Sequence, residues 1–202
     1  MSELERSNFE RELFKQLKTL EQIDQSISAS KNKIKFKIGK VVVAEIYFAH
    51  LRKVDGYYVG GEVYGGPLYQ CCMKNEPPYK NNLFNSSILS FTSLSEGDGY
   101  FGDVVGGVLK TPDVAVAEKV AFNVRDKLVN RYIPWVLNCV FPNIDLVGDV
   151  VRNPDFYAYP AIVLKCSAKY DSGINCDSIL EENSNNKKII KNKEYDLGFF
   201  KS

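Results

Sequence analysis

His50 is the only histidine in the 202-residue chain. A base-activated serine or cysteine would therefore have to use it. A single imidazole also excludes every metal site that needs two histidines. His50 closes a long apolar run and is followed by Leu51, Arg52 and Lys53. If the next hairpin continues the sheet, Cys71 and Cys72 are the nearest thiols, and one of them could face His50. Neighbouring residues of a strand point to opposite sides, so the other belongs to the core. The plainer account of His50 is a strand-end imidazole bonded to backbone or water. A small hydrolase or transferase built on His50 with Cys71 or Cys72 is the alternative.

Five carboxylates, Glu45, Glu62, Glu96, Asp98 and Asp103, could meet at one end of such a sheet, where paired acids serve glycoside hydrolysis or hold a divalent cation. No spacing among them selects either role, and solvated loop acids are the ordinary explanation. Glu45 differs because it sits inside VVVAEIYFA. It must face water or pair with a base. Gly97-Asp98-Gly99-Tyr100-Phe101-Gly102 spells GxGxxG. A dinucleotide site needs those glycines to open directly into a helix whose N-terminus holds the pyrophosphate. Here Asp103, two valines and Gly106-Gly107 intervene, so a turn requiring positive φ is the better reading.

Twelve tyrosines and twelve phenylalanines supply a different chemistry. Tyr47, Tyr57, Tyr58, Tyr64 and Tyr69 crowd one region, near Arg52, Lys53 and Lys74. Aromatics beside bases on a sheet can stack nucleobases or anchor a protein partner. No RNA-binding signature accompanies them, and tyrosine-rich strands also build ordinary sheets.

These residues need elements to hold them. Residues 7 to 28 read as a first helix, with Ser7 and Glu10 as a capping box and an apolar stripe of Phe9, Leu13, Leu17, Leu20 and Ile27. Ile34, Phe36 and Ile38 alternate with lysines as in a half-buried strand. Gly39-Lys40 turns the chain into a central strand, Val41 to Leu51. Asp55-Gly56 is a hairpin signal leading to Tyr57–Tyr64. Further strands are expected at Leu68–Met73 and Ile88–Leu94, separated by a polar loop. Thr111-Pro112-Asp113 then opens the main core helix, with Ala117, Val120, Ala121, Val124 and Leu128 on one stripe. Pro134 should end or bend it near Ile133. Asn143 to Val151 follows as a short helix, Asp155 to Tyr159 as an aromatic loop, and Ala161 to Tyr170 as a last strand. The expected fold is α+β: an antiparallel sheet of about five or six strands packed against an N-terminal helix and the core helix. Residues 1–180 form the single domain, and 181–202 a polar, mobile tail.

Composition narrows the classes. The chain carries 26 basic and 25 acidic residues, a net charge of +1, so no global field draws in nucleic acid or an anionic membrane. A hydrophobic share of 45% is enough for a core without metal or disulfides. The start, MSELERSNFERELF, has no apolar core of a secretory signal, and no run is long enough to span a bilayer. Cytoplasmic residence is expected. Five cysteines with no CxxC pair argue against a disulfide framework and a zinc site, and read as reduced, buried thiols.

In general character, with its modest length, near-neutral charge, α+β pattern and Asn/Lys-rich tail, the chain resembles the immunity proteins with which bacteria neutralise a cognate toxin. The resemblance implies binding without chemistry: no catalytic residue, cofactor or metal, a protein partner (possibly a toxin domain), and no membrane or nucleic acid. Tyrosine offers large contact area at low entropic cost. The hairpin face with Arg52, Tyr57, Tyr58, Glu62 and Tyr64 is the expected contact surface. Asp98, Tyr100 and Asp103 form a second, acidic patch suited to a basic cleft.

Overall fold

The computed structural model describes residues 3–95, 99–102 and 106–198. A six-stranded antiparallel sheet runs β1 (Ile27–Ser30), β2 (Lys33–Ile38), β3 (Val41–Leu51), β4 (Gly56–Val63), β5 (Leu89–Thr92), with β6 (Leu109–Lys110) pairing to β4. From β1 to β5, strands consecutive in sequence are neighbours in space, joined by short turns up to β4; the β4–β5 connection carries a helix, and β6 returns to β4. The chain divides into two compact units: Met1–Glu62 with Phe91–Pro134, and Val63–Ser90 with Trp135–Ser202.

In the first unit, helix α1 (Glu3–Thr19) buries Phe9, Leu13 and Leu17, spaced four apart, and packs on β1 and on helix α3 (Ala117–Lys127). Helix α1 is not the helix over residues 7–28. Ser7 and Glu10 lie within it and do not cap it, and Ile27 joins strand β1. The break is local: Asp24 Oδ1 accepts from the Ser26 amide at 2.7 Å, turning the chain. Ile27–Ser30 then pairs against Lys33–Phe36. Asp55 adopts φ 49° in the β3–β4 turn, a conformation Asp tolerates better than most residues, while Gly56 already belongs to β4; the loop is longer than the two-residue turn its Asp-Gly signal suggests.

Thr111 does not cap the core helix. Its amide and Oγ1 both bond the Asp55 carbonyl, at 3.1 and 3.2 Å. A 3-10 turn (Val114–Val116) precedes α3. Pro134 does not end the helix either. A π turn at Leu128–Tyr132 leads directly into α4 (Ile133–Val140). A proline removes one ladder bond and crowds the preceding turn. The wider π turn just before Pro134 is where the helix can absorb both. Nearby, Ser93 Oγ donates to the Gly107 carbonyl at 2.7 Å and accepts from the Val59 amide at 3.2 Å. Gly107 has φ +66°, and a Cβ there would lie 1.9 Å from the Ser93 carbonyl oxygen, so only glycine fits.

The second unit is mainly helical and corrects two strands. Leu68–Met73 lies in helix α2 (Gly66–Lys74), started by Pro67, with Leu68, Cys71 and Cys72 on its buried side. Ala161–Tyr170 is no strand, since helix α6 (Pro160–Ser167) covers its first part, again opened by a proline. All eight residues of α6 are buried, so polarity carried no helical period there. Helix α5 (Ile144–Arg152) forms as expected, and Asn143 Oδ1 accepts from the amides of Asp145 and Leu146. Cys71 and Cys166 are joined in a disulfide with a Cα–Cα distance of 5.9 Å, contrary to five reduced thiols. Cys72, Cys139 and Cys176 are free. The segment expected as a tail carries α7 (Cys176–Glu182), which runs into it, and α8 (Lys193–Gly198). Asp196 is fully buried there, accepting from Tyr79 OH at 2.6 Å and from the Lys191 and Asn192 amides. Ile189 and Ile190 are buried beside this region in sequence.

Two outcomes follow from this packing. Leu17→Ala should lower the unfolding free energy by about 2–5 kcal/mol in urea titrations, whereas Leu4→Ala, 70% exposed, should change it by less than about 0.5 kcal/mol. Alkylation of the denatured chain without reductant should label three cysteines, and all five after reduction, read by intact mass.

Candidate functional site

The two faces of β4 divide the predicted contact residues. Successive residues of a strand point to opposite sides. Tyr57 points inward, 3% exposed, while Tyr58 and Glu62 are half-buried on the outer side. The expectation of Tyr57 as a surface contact is therefore wrong.

On the outer side Tyr47 from β3 and Tyr58 from β4 meet edge to face, with ring centroids 6.3 Å apart. Gly60 makes room for them, since a Cβ there would lie 2.5 Å from the Tyr47 ring. Lys33 Nζ, from β2, donates to Glu45 Oε1 at 2.7 Å. Glu45 thus satisfies both conditions its setting imposed, a paired base and an outer position with 21% of its side chain exposed. Partial burial, followed by Tyr58, Glu62 and Glu45, raises the Tyr47 hydroxyl above the usual phenol range. This face is a framed aromatic pair, with one carboxylate paired to lysine.

On the inner side the ends of β3 and β4 meet α1. Tyr57 packs on Phe9 at 5.1 Å and on the His50 ring at 4.9 Å. Its hydroxyl donates to Glu10 Oε1 at 3.1 Å. Glu10 also takes Arg6 Nε at 2.9 Å and Lys31 Nζ at 3.2 Å. Burial disfavours the Glu10 carboxylate, but the bonds from Arg6, Lys31 and Tyr57 outweigh it and hold its pKa below the usual value. Burial, then the Glu10 carboxylate, pushes the Tyr57 hydroxyl up. His50 Nε2 lies 3.0 Å from Asp55 Oδ1. A carboxylate there fixes a proton on Nε2 and leaves Nδ1 as the acceptor of the neutral ring. Nothing local in the sequence marked Arg6 or Lys31, and Glu10 read only as half of a capping box: Tyr57 and Glu10 are 47 residues apart.

The other candidates are dispersed. Arg52 is exposed just beyond β3, and Tyr64 is half-buried in the second unit. Tyr100 packs edge-on against Tyr132 at 6.0 Å, with the Arg131 guanidinium 4.8 Å from its ring centre, so much of its aromatic surface is used within the fold. Asp98 and Asp103 lie outside the described residues, as do Glu96 and Gly97 of the glycine-rich stretch. Gly99 has φ +61°, in keeping with a turn. Cys71 is in the disulfide. Cys72 is fully buried, and burial pushes its thiol up to about 12, far from a thiolate at neutral pH.

The lowered Glu10 pKa sets a sign. Its stabilising contribution is present above the unfolded-state value and is lost as pH falls through the folded one. Glu10→Gln should therefore be less stable than the parent at pH 7, and the gap should close as pH is taken below about 4, read by chemical denaturation at each pH. No family model matches this chain, and no curated protein and no solved structure matches it, so the chemistry of the site rests on its own atoms.

Proposed function

We propose that this chain is a protein-binding domain of the toxin-neutralising immunity type, acting by tight complex formation, and that the outer face of β2–β3–β4 is its contact surface. One observation carries the reading: Tyr47 and Tyr58 are locked edge to face over Gly60 on a hydrogen-bonded sheet, bordered by Lys33, Glu45 and Glu62. Two rings pre-set by their own strands lose little entropy on binding and present apolar bodies with polar tips. Charges around them would fix register and reject wrong partners. Cys71 and Cys72 offer no accessible thiolate for the His50 chemistry, which favours binding over a cysteine nucleophile.

The test pairs the chain with the product of the adjacent gene. It should rescue growth of cells expressing that product and bind it directly in calorimetry. Tyr58→Ala should cost at least ~2 kcal/mol of affinity, roughly thirtyfold, with circular dichroism unchanged. An unaltered affinity in both Tyr58→Ala and Tyr47→Ala removes this face from the interface. Binding instead to single-stranded nucleic acid, with affinity falling steeply in salt, would replace the protein partner altogether.

A further inference from the structure

The inner side of the sheet holds a second feature that the outer face does not explain. Where α1 passes the ends of β3 and β4, a cavity of about 400 Å³ opens, lined by Arg6, Glu10, Lys31, His50, Arg52 and Tyr57, with apolar walls from Leu13 and Phe48. That volume lies within the range of small-molecule sites, which combine apolar walls with a few convergent polar groups.

Its charge is lopsided. Three permanent cations face one carboxylate. Glu10 engages two of them, Arg6 and Lys31, and takes the Tyr57 hydroxyl as well. Arg52 has no hydrogen bond or ion pair among the described residues, so its guanidinium fork is unspent. His50 lies in the wall of the same cavity. Its side chain is only 11% exposed and Nε2 is taken by Asp55, so the ring is held in place beside the cations and senses what binds them. A concave, basic wall concentrates anions, and a guanidinium matches the paired oxygens of phosphate or carboxylate.

We propose that this cavity binds a small oxyanion-bearing molecule, a phosphate or carboxylate, held by Arg52 with Lys31 and Arg6 at the rim and with His50 in the inner wall. The site is independent of the outer-face reading, because it uses the opposite side of the sheet. Arg6 and Lys31 remain bridged to Glu10, which positions both heads at the mouth without neutralising Arg52.

Because His50 is the only histidine, its ring protons give one unambiguous set of signals in a proton NMR spectrum. The probe is inorganic phosphate titrated at constant pH and ionic strength, with chloride as the matched control. The His50 signals should move saturably with phosphate, with a dissociation constant on the order of 1 mM or tighter, and stay still in chloride. Arg52→Ala, an exposed position, should weaken the response at least tenfold, and Lys31→Gln should weaken it less. Tyr58→Ala should leave it intact, which separates failure of this site from failure of the outer face. A shift that never saturates, that chloride reproduces, or that survives Arg52→Ala undiminished overturns the proposal.

Discussion

The alternation of side chains along β4 is the constraint on which both surfaces of the first unit depend. Tyr57 and Tyr58 are neighbours in sequence, yet one is sealed against α1 and the other joins Tyr47 on the outer side. A slip of one residue would exchange them and put Glu62 into the core, an expensive exchange. The register is held from two directions. On the inner side Tyr57 is fixed through Phe9 and Glu10. On the outer side the Tyr47 ring occupies space that only Gly60 leaves open.

The strands were legible wherever one face was wet. Lysines alternating with Ile34, Phe36 and Ile38, and the Asp55-Gly56 turn, encode β2 to β4 in the plain language of period two. Legibility failed where nothing was wet. Leu68–Met73 and residues 161–167 are short apolar runs in which buried helix and buried strand look alike. Length and propensity favoured strand there, and only Pro67 and Pro160, both at helix starts, argued otherwise. The core helix was visible from its stripe, but its start was not. Thr111 is a good cap whose backbone and hydroxyl are both occupied by Asp55, a tertiary contact 56 residues away.

The candidate sites were half legible for the same reason. Tyr58 and Glu62 follow from strand parity once Tyr57 is known to face inward, a fact that the sequence leaves open. The cluster around His50 draws on α1, on the β1–β2 turn and on the end of β3, and no spacing rule links them. Its members look like surface charges of separate elements. They become a site only because Glu10 gathers Arg6 and Lys31 beside Tyr57.

The second unit is built from two pieces of chain, Val63–Ser90 and Trp135–Ser202, with a long excursion into the first unit between them. The Cys71–Cys166 bond joins one piece to the other across 95 residues. During synthesis the earlier piece must wait, with the buried side of α2 uncovered, until α6 has been made and can meet it. Once the bond has formed, a break anywhere in the excursion would leave the two pieces as one covalent body. The disulfide thus makes a discontinuous unit behave, toward unfolding and toward proteases, as though its chain were continuous.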